Sequence, residues 1–560
     1  MRTEGTETVG LRFLIEVPPD DDRGLGELRT KLRDELGPDW QVSYLFPQPR
    51  TKDLSRFFVT RGQVPASPAY PLSALGYDMA RGLADRLGAV VEPDLPSSAY
   101  RQDGPNAGVG QNAVVADETL AANSGLAAAV ASAADKRWNV KNVNATQAWR
   151  LKPKPGGAAR GAGIRVGHID TGYTEHPEIF PAALDLGIDR DILDNDDDAK
   201  DPLIKRWWFP LDDPGHGTGT SCVIASRSTG QVVGVAPEAV LVPIRSIVSV
   251  VQVLDGDVAR AVDYARSVGC RVISMSLGGR GFNGLQAAIR RAVDEGLIVM
   301  AAAGNYVGFV AAPASYPECL AVAATNVDDQ PWSGSSRGAQ VDISAPGQAV
   351  WTAATKQGAN GPAYSVEQRD GTSFAVAGLA GVAALWLAHH GADAIKDKYG
   401  GATQEVFRLL VTLTCRVPTG WDGSRYGAGI VDAAALLKAP LPDPPGLSLA
   451  SGDDDAEDVV EPNQGPMAQL AATFSDRSIA EIERSLSARF GGLAVTAEDD
   501  PIARYASEIR YLAGEDPLLH QALVPPTSEA LAVAGRSVAA AVDSRVRSGV
   551  SRGLAKALEC

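Results

Sequence analysis

Short apolar runs alternate with helical stretches along residues 160–390 of this chain. The run at 297–303, Leu-Ile-Val-Met-Ala-Ala-Ala, is typical of a strand buried on both faces. The longer run at 373–387, rich in Ala, Val and Leu, is typical of a buried helix. This alternation predicts an α/β fold, in which a mostly parallel sheet carries helices on both faces. Polar residues that follow such strands are expected at the carboxyl ends of the strands, where open sheets bind their ligands.

Three polar residues that lie close to glycines are far apart in the chain but suit one kind of chemistry. They are Asp170 in Ile-Asp-Thr-Gly, His216 in Gly-His-Gly-Thr and Ser373 in Gly-Thr-Ser-Phe-Ala. A serine hydroxyl is a weak nucleophile until a base takes its proton, and histidine can accept that proton and return it. A buried carboxylate orients the imidazole and stabilises its charged form. We therefore expect Ser373 to be the nucleophile, His216 the general base and acid, and Asp170 the orienting group, in one of three chain orders known for such sites.

These segments, with others between residues 138 and 438, resemble the subtilisin-like serine proteases. The resemblance implies an endopeptidase that hydrolyses peptide bonds through an acyl-enzyme, on a subtilisin-like sheet flanked by helices. It also implies that Asn305, in an Ala-Ala-Gly-Asn turn, is a side-chain donor to the oxyanion beside the backbone N–H of Ser373. The residues that the family pattern places at the substrate cleft are Ser276, Leu277, Gly278 and Gly304.

Two departures from the family pattern leave other functions open. Gly219 stands where the family usually has a second histidine, and Ala377 stands where it usually has proline. Neither position carries the chemistry, so activity is still expected. A pseudoprotease that keeps the fold only for binding would be expected to lack at least one of the four site residues, and all four are present. A third hypothesis is a latent effector protease that a partner activates through the C-terminal region.

Residues 1–100 show the element pattern βαββαβ, which is typical of a ferredoxin-like α+β fold. The prodomain of the subtilisin-like proteases has a closely related fold. The resemblance implies a domain that inhibits the enzyme in cis with its C-terminal tail, followed by a cleavage point within 96–136. A permanently attached ferredoxin-like binding domain is the alternative. Residues 101–136, rich in Gly, Asn and Ala, are predicted to be a linker.

The rest of the chain divides into three parts by composition. Residues 137–440 are predicted to be the catalytic domain, and residues 441–465 a Pro-rich and acidic linker. Residues 466–560 are helical by pattern and contain no motif that points to a function. A small helical domain that receives a regulatory protein partner and an appendage that only adds stability are equally compatible with this pattern.

An acidic loop offers a candidate metal site. Its carboxylates alternate along the chain at Asp194, Asp196 and Asp198, and Asp201 follows. Calcium prefers oxygen ligands at such alternating positions, and members of the resembling family often bind calcium. A solvated acidic loop is the alternative. No zinc or phosphate site is recognised, and no redox or nucleotide cofactor is expected.

Charge and composition argue against several classes of function. The net charge of −16 and the lack of a basic patch argue against nucleic acid, so protein or peptide substrates are the expected partners. No apolar run is expected to reach the length of a membrane helix. Five widely spaced cysteines, an odd number, indicate a reducing compartment rather than a disulfide framework. The N-terminus lacks a secretory signal, so a cytoplasmic location is expected, with non-classical export as the alternative.

Overall fold

The computed structural model describes the parts of the chain that form the N-terminal and central domains, with a few C-terminal residues. The described residues are 8–21, 24–47, 52–66, 70–95, 135–204, 213–227, 230–250, 254–306, 309–359, 361–444, 501–515, 551, 552 and 554. The predicted linker at 101–136, except its last two residues, lies outside them, and so does most of the predicted helical region at 466–560.

The central domain is built on a sheet of seven parallel strands. In sheet order the strands are β11 (Ile343–Pro346), β10 (Leu320–Thr325), β9 (Ile298–Ala302), β8 (Val272–Met275), β5 (Arg165–Asp170), β7 (Val240–Arg245) and β6 (Arg190–Asp191). Strands β8 to β11 and β7 are buried along nearly their whole length, as expected for a sheet covered on both faces. The predicted α/β class and the mostly parallel sheet are confirmed. Because the chain runs from β5 to one side and then to the other, the carboxyl end of β5 lies at a change of strand order, where such sheets bind ligands.

Helices cover both faces of this sheet. They are α4 (Trp138–Asn142), α5 (Ala145–Ala148), α6 (His216–Ala225), α7 (Asp255–Ser267), α8 (Asn283–Asp294), α9 (Thr372–His390), α10 (Ala392–Tyr399), α11 (Thr403–Leu413), α12 (Gly423–Tyr426) and α13 (Ala433–Lys438), with a 3₁₀ turn at Gly400–Ala402. A hairpin of β12 (Val350–Gly358) and β13 (Gly361–Arg369) precedes α9 and packs against α6.

Helix α9 is the centre of the core. Every one of its residues is buried, and it packs against strands β8 to β11. Its small residues permit this, since a Cβ on Gly381 would lie 2.6 Å from Cβ of Val235. Among the described residues, this one helix is long and apolar enough to cross a membrane, with a mean hydropathy of 1.5, contrary to the expectation that no run has that length. It is wholly buried, as core helices of the same length and composition also are.

Residues 8–95 form a separate four-stranded antiparallel sheet with helices on one face. Its elements are β1 (Thr8–Glu16), α1 (Leu25–Leu36), β2 (Gln41–Tyr44), α2 (Lys52–Ser55), β3 (Phe57–Pro65), α3 (Leu72–Leu87) and β4 (Val90–Pro93), and the strand order is β2-β3-β1-β4. Successive side chains of a strand point to opposite faces. In β1, Leu11, Phe13 and Ile15 therefore join the core under α1 and α3, whereas Leu14 packs into the core of the central domain.

The second face of this small sheet packs on α7 and α8 of the central domain. Phe57 of β3 meets Phe282 edge to face, with ring centroids 5.9 Å apart. Arg12 donates to Asp257 at 2.8 Å, and Glu16 accepts a hydrogen bond from Asn283 at 2.7 Å. The two domains thus share one apolar cluster whose borders are charged.

Candidate active site

Asp170 and His216 meet at the carboxyl end of β5. Asp170 ends the strand, and His216 is the first residue of α6. His216 Nδ1 lies 2.7 Å from Asp170 Oδ1, which also accepts the Thr171 backbone N–H at 2.7 Å. The second carboxylate oxygen accepts the Thr220 hydroxyl at 3.1 Å. Asp170 is 0% and His216 3% exposed, so this pair acts in a largely water-free setting.

Glycines allow the two loops to approach each other. A Cβ on Gly217 would overlap the carbonyl oxygen of Gly172, so the turn after Asp170 and the first turn of α6 require glycine at this contact. Gly172 itself has φ +100°, a left-handed conformation that glycine adopts without strain. The glycines beside the two functional residues therefore set the distance between them.

Ser373 is the second residue of α9, directly after Gly371 and Thr372. At this position its backbone N–H has no partner within the helix, and the positive end of the helix dipole lies beside its hydroxyl. Its Oγ donates to the carbonyl oxygen of Ser276 at 3.4 Å, and the Ser276 hydroxyl donates to Ser373 O at 3.0 Å. The hydroxyl is therefore turned toward the segment after β8.

Asn305 follows β9 and is locked against the start of α9. Its Oδ1 accepts the Thr372 backbone N–H at 2.9 Å and the Thr372 hydroxyl at 2.8 Å. Because the oxygen of Asn305 binds Thr372, its amide nitrogen faces Gly371. A Cβ added to Gly371 would lie 3.6 Å from Asn305 Nδ2. Gly304 donates its N–H to the same threonine hydroxyl at 3.2 Å. This arrangement presents the Asn305 amide as a donor near the Ser373 N–H.

The charges of the pair shift both pKa values in the direction that suits proton transfer. Burial alone would lower the pKa of His216, but the charge of Asp170 and its hydrogen bond outweigh burial, so the pKa of His216 is raised. Burial would raise the pKa of Asp170, yet the charge of His216 and the hydrogen bonds to Asp170 leave that pKa lowered. Asp170 is therefore ionised when His216 takes a proton.

A second histidine and serine lie on the other side of Asp170. His168 Nε2 lies 3.8 Å from Asp170 Oδ2 and 2.9 Å from Thr220 Oγ1, and Ser221 Oγ lies 3.3 Å from His168 Nδ1. Ser221, however, is the sixth residue of α6, where the helix uses its backbone N–H and leaves none for an oxyanion. Burial lowers the pKa of His168, which keeps the ring neutral. Ser221 thus differs from Ser373, which lies in the first turn of α9.

The carboxylates of the acidic loop bind donors of the protein itself. Asp194 pairs with Arg245 at 2.7 Å, Asp196 accepts the Asp198 backbone N–H at 3.1 Å, and Asp198 accepts the Tyr173 hydroxyl at 3.3 Å. Among the residues that the structure describes, no group of three His, Cys, Asp or Glu side chains could hold a metal ion. Calcium at these carboxylates therefore stays a prediction, since arginine, tyrosine and backbone donors contact their oxygens in the structure.

Asp201, one of those four predicted ligands, instead joins the two loops of the site. Its Oδ2 accepts the Thr171 hydroxyl at 2.7 Å and the Gly215 backbone N–H at 2.8 Å. Thr171 follows Asp170 and Gly215 precedes His216, so one carboxylate oxygen fixes both neighbours. Sequence reasoning missed this role and that of Thr220, since no local pattern marks a residue that acts across a tertiary contact.

The predicted cleft residues follow β8 as expected from their position in the chain. Ser276, Leu277 and Gly278 are buried, and Ser276 contacts Ser373 through both backbone and side chain. Two residues further on, Arg280 donates to Pro93 O at 3.4 Å and also to Leu95 O. The end of the N-terminal domain is therefore tied beside the segment that the sequence predicts to bind substrate.

Comparisons with known proteins match the part of the chain that holds this site. The model of the subtilase family matches residues 161–429. Thermitase of Thermoactinomyces vulgaris is 34% identical over 273 residues, which are 46% of this chain and 84% of thermitase. Subtilisin E of Bacillus subtilis (strain 168) is 34% identical over 227 residues, 39% of this chain and 58% of that protein. A protease structure from Pseudoalteromonas arctica PAMC 21717 is 28% identical, covering 54% of this chain and 96% of that one, with a TM-score of 0.46.

Proposed function

We propose that this chain, which belongs to the subtilase family and is a serine endopeptidase, cleaves proteins or peptides with Ser373 as nucleophile and is held latent by its N-terminal domain. The observation that carries the assignment is the arrangement around Asp170 and the start of α9. The buried, hydrogen-bonded pair of Asp170 and His216 lies near the first turn of α9, with the His216 ring 6.2 Å from that of Phe374. At that turn the Ser373 N–H and the fixed Asn305 amide converge, each 3.6 Å from where a Cβ on Gly371 would lie. A substrate carbonyl at that place would receive both donors.

The reaction follows from these groups. The Ser373 hydroxyl rotates away from Ser276 O and attacks the scissile carbonyl carbon, while its proton passes to Nε2 of His216. The carbonyl oxygen becomes an oxyanion, which accepts hydrogen bonds from the Asn305 amide and the Ser373 N–H. When the tetrahedral intermediate collapses, the C–N bond breaks and His216 gives its proton to the leaving amine. Water, deprotonated by the same histidine, then hydrolyses the ester and restores Ser373.

Latency is supported by how the N-terminal domain sits. Its sheet covers α7 and α8, and its last described residues, through Leu95, are tied to Arg280 beside the predicted cleft. Leu95 O accepts a hydrogen bond from Arg280, which is two residues after Gly278, so the chain that follows Leu95 begins beside the predicted cleft segment. Occupation of the cleft by that continuation would block substrate without any change in Ser373 or His216.

The contact between the domains also contains a cluster of buried charges, which stabilises the contact only while each charge keeps its partner. Arg12 lies 2.6 Å from Asp94 and 2.8 Å from Asp257, and all three side chains are nearly buried. A Cβ on Gly256 would lie 2.6 Å from Arg12 Nη2, so glycine is required at this point. Removing one partner of such a cluster leaves a buried charge unpaired, which is costly.

Labelling with a fluorophosphonate probe tests the nucleophile. Wild type, Ser373→Ala and Ser221→Ala are incubated with the probe, each also in a Gly256→Ala background that loosens the N-terminal domain, and the labelled peptide is identified by mass spectrometry. We expect Ser373→Ala to lose all labelling and about 10⁶-fold in kcat, as for loss of a triad serine in a related protease. Ser221→Ala should label like its parent. A label on Ser221, or none in any background, would contradict the proposal.

A further inference from the structure

The C-terminal segment of the chain contacts both other domains. Helix α14 (Pro501–Glu515) and the short piece near residue 551 bury a mixed apolar and charged face, formed by Ala506, Glu508, Ile509, Arg510, Leu512, Ser551 and Leu554. A single helix of 15 residues is marginal in water by itself. Docking on the rest of the protein therefore accounts for its stability, and the identity of the surface beneath it indicates what the segment does.

The first surface is helix α3 of the N-terminal domain. Arg81 of α3 donates to Glu508 at 2.8 Å, and Glu508 also accepts the Ser551 backbone N–H at 2.6 Å and the Ser551 hydroxyl at 2.7 Å. Tyr77 of α3 packs its ring 5.7 Å from that of Tyr511. A buried glutamate with three donors is fully partnered only while α3, α14 and Ser551 stay together.

A second group of contacts joins the same α3 face to the last described residues. Arg552 donates its backbone N–H to the Tyr70 hydroxyl at 3.0 Å and to Asp78 at 3.1 Å. Its guanidinium stacks on the Tyr70 ring at 4.9 Å. The segment therefore covers α3 and the turn before it with charge-assisted bonds as well as apolar packing.

The second surface belongs to the central domain. Arg510 donates to Gly281 O at 2.7 Å, and the Arg280 guanidinium lies 4.9 Å from the centre of the Tyr511 ring. Arg280 also donates to the Tyr77 hydroxyl at 3.0 Å. One helix of the C-terminal segment thus spans the border between α3 and the residues that follow the predicted cleft.

We propose that α14, with Ser551, Arg552 and Leu554, is a latch that holds the N-terminal domain on the central domain. The surface formed by α3 and Arg280 is its docking site, and the occupant is this chain's own C-terminal segment. That the latch also restrains activity rests on the proposed latency. Because the latch contacts both sides of the border, the N-terminal domain cannot separate from the central domain without breaking either Arg510–Gly281 or Arg81–Glu508. Removal or displacement of the C-terminal segment would then be one step of activation.

Hydrogen–deuterium exchange tests the docking without reference to activity. The full chain carrying Ser373→Ala, which prevents self-cleavage, is compared with the same chain carrying Arg510→Ala or Glu508→Gln. We expect amides of α3 to exchange about tenfold faster in both variants, since each loses charge-assisted bonds at a buried contact. The matched control is Arg150→Ala, which removes an exposed arginine of the central domain. Exchange in α3 that stays at the control level in both variants would overturn the latch.

Two further readouts separate the latch from its alternatives. Dilution of the chain tests a second copy as the source of the segment: unchanged protection of α3 supports the latch within one chain, and protection lost on dilution overturns it. Fluorophosphonate labelling of chains with an intact Ser373 then measures the effect on activity. Faster labelling of Arg510→Ala supports restraint by the latch. The docking and the latency can also separate. If the variants exchange faster in α3 but label no faster, and wild type already labels as fast as the Gly256→Ala chain, the docking is supported and the proposed latency is refuted.

Discussion

Gly256 offers a way to loosen the N-terminal domain without changing the active site. It is the second residue of α7, and the small sheet packs directly over it. A Cβ at this position would lie 2.6 Å from Arg12 Nη2, 2.8 Å from Asp94 Oδ2 and 2.8 Å from Leu14 Cδ2. All three atoms belong to the N-terminal domain. The Gly256→Ala substitution therefore acts on the contact between the domains.

The size of the effect follows from these distances. Carbon makes favourable contacts at about 3.5–4.0 Å, so the three neighbours must retreat by roughly 1 Å. Arg12 cannot swing away freely, since Asp94 holds it at 2.6 Å and Asp257 at 2.8 Å. Overpacking of this kind costs about 1–3 kcal/mol. A cost of this size corresponds to a docking equilibrium weakened by about 5- to 100-fold.

The assay is the rate of fluorophosphonate labelling of Ser373 in the full chain. If only the open form reacts, the rate rises with the open fraction, by the same 5- to 100-fold. The control is Gly26→Ala, also at the second residue of a helix, where an added Cβ meets no atom within 4 Å. Misfolding of the variant would lower labelling, so the direction separates the two cases. A Gly256→Ala rate within about twofold of wild type and Gly26→Ala would refute the reasoning.

Three further predictions concern the site and its cover. Asn305→Ala should lower kcat by about 10²–10³ with little change in KM, because the amide is needed only once the oxyanion forms; an equal rise in KM would argue against this role. Asp201→Asn should leave either the Gly215 N–H or the Leu203 N–H facing an amide nitrogen and cost about 1–3 kcal/mol in free energy of unfolding, with a loss of kcat/KM that Asp194→Asn does not show. Burial and nearby carboxylates of the N-terminal domain raise the pKa of Asp255 to about 6. The docked form thus binds this proton more tightly than the open form, so docking should weaken as pH rises through 6. Hydrogen–deuterium exchange of α3 amides in the Ser373→Ala chain, corrected for intrinsic rates, should then become faster. Slower exchange, or no trend with pH, would contradict this.

The sequence was sufficient where chemistry depends on residues next to one another. Asp170 ends a strand, His216 and Ser373 begin helices, and each has a glycine within two residues. Because the carboxyl ends of parallel strands meet at one edge, the order of elements was enough to expect these residues together. The alternation of apolar segments gave the α/β class for the same reason.

What the sequence could not supply is the choice of partner across space. Alternating carboxylates suggested calcium, but Arg245, far along the chain, pairs with Asp194, and Asp201 accepts hydrogen bonds from Thr171 and Gly215. A carboxylate accepts hydrogen bonds from whichever donors the fold brings near it, and the spacing of acidic residues in the sequence does not identify those donors. The same holds for the C-terminal helix, whose sequence carries no signal that its face matches α3.

Arg280 lies where the proposed restraint and the predicted cleft meet. It lies two residues after the predicted cleft segment, yet its side chain bonds to Leu95 and Tyr77 of the N-terminal domain and stacks on Tyr511 of the C-terminal helix. Burial would lower the pKa of Arg280, but the electron-rich and acidic groups around it raise that pKa instead, so the charge persists at every physiological pH. A permanent buried charge needs its partners. Whatever displaces the N-terminal domain must therefore hydrate Arg280 or replace its contacts, and the backbone of an incoming peptide in the adjacent cleft supplies carbonyl oxygens of the kind that Leu95 now provides.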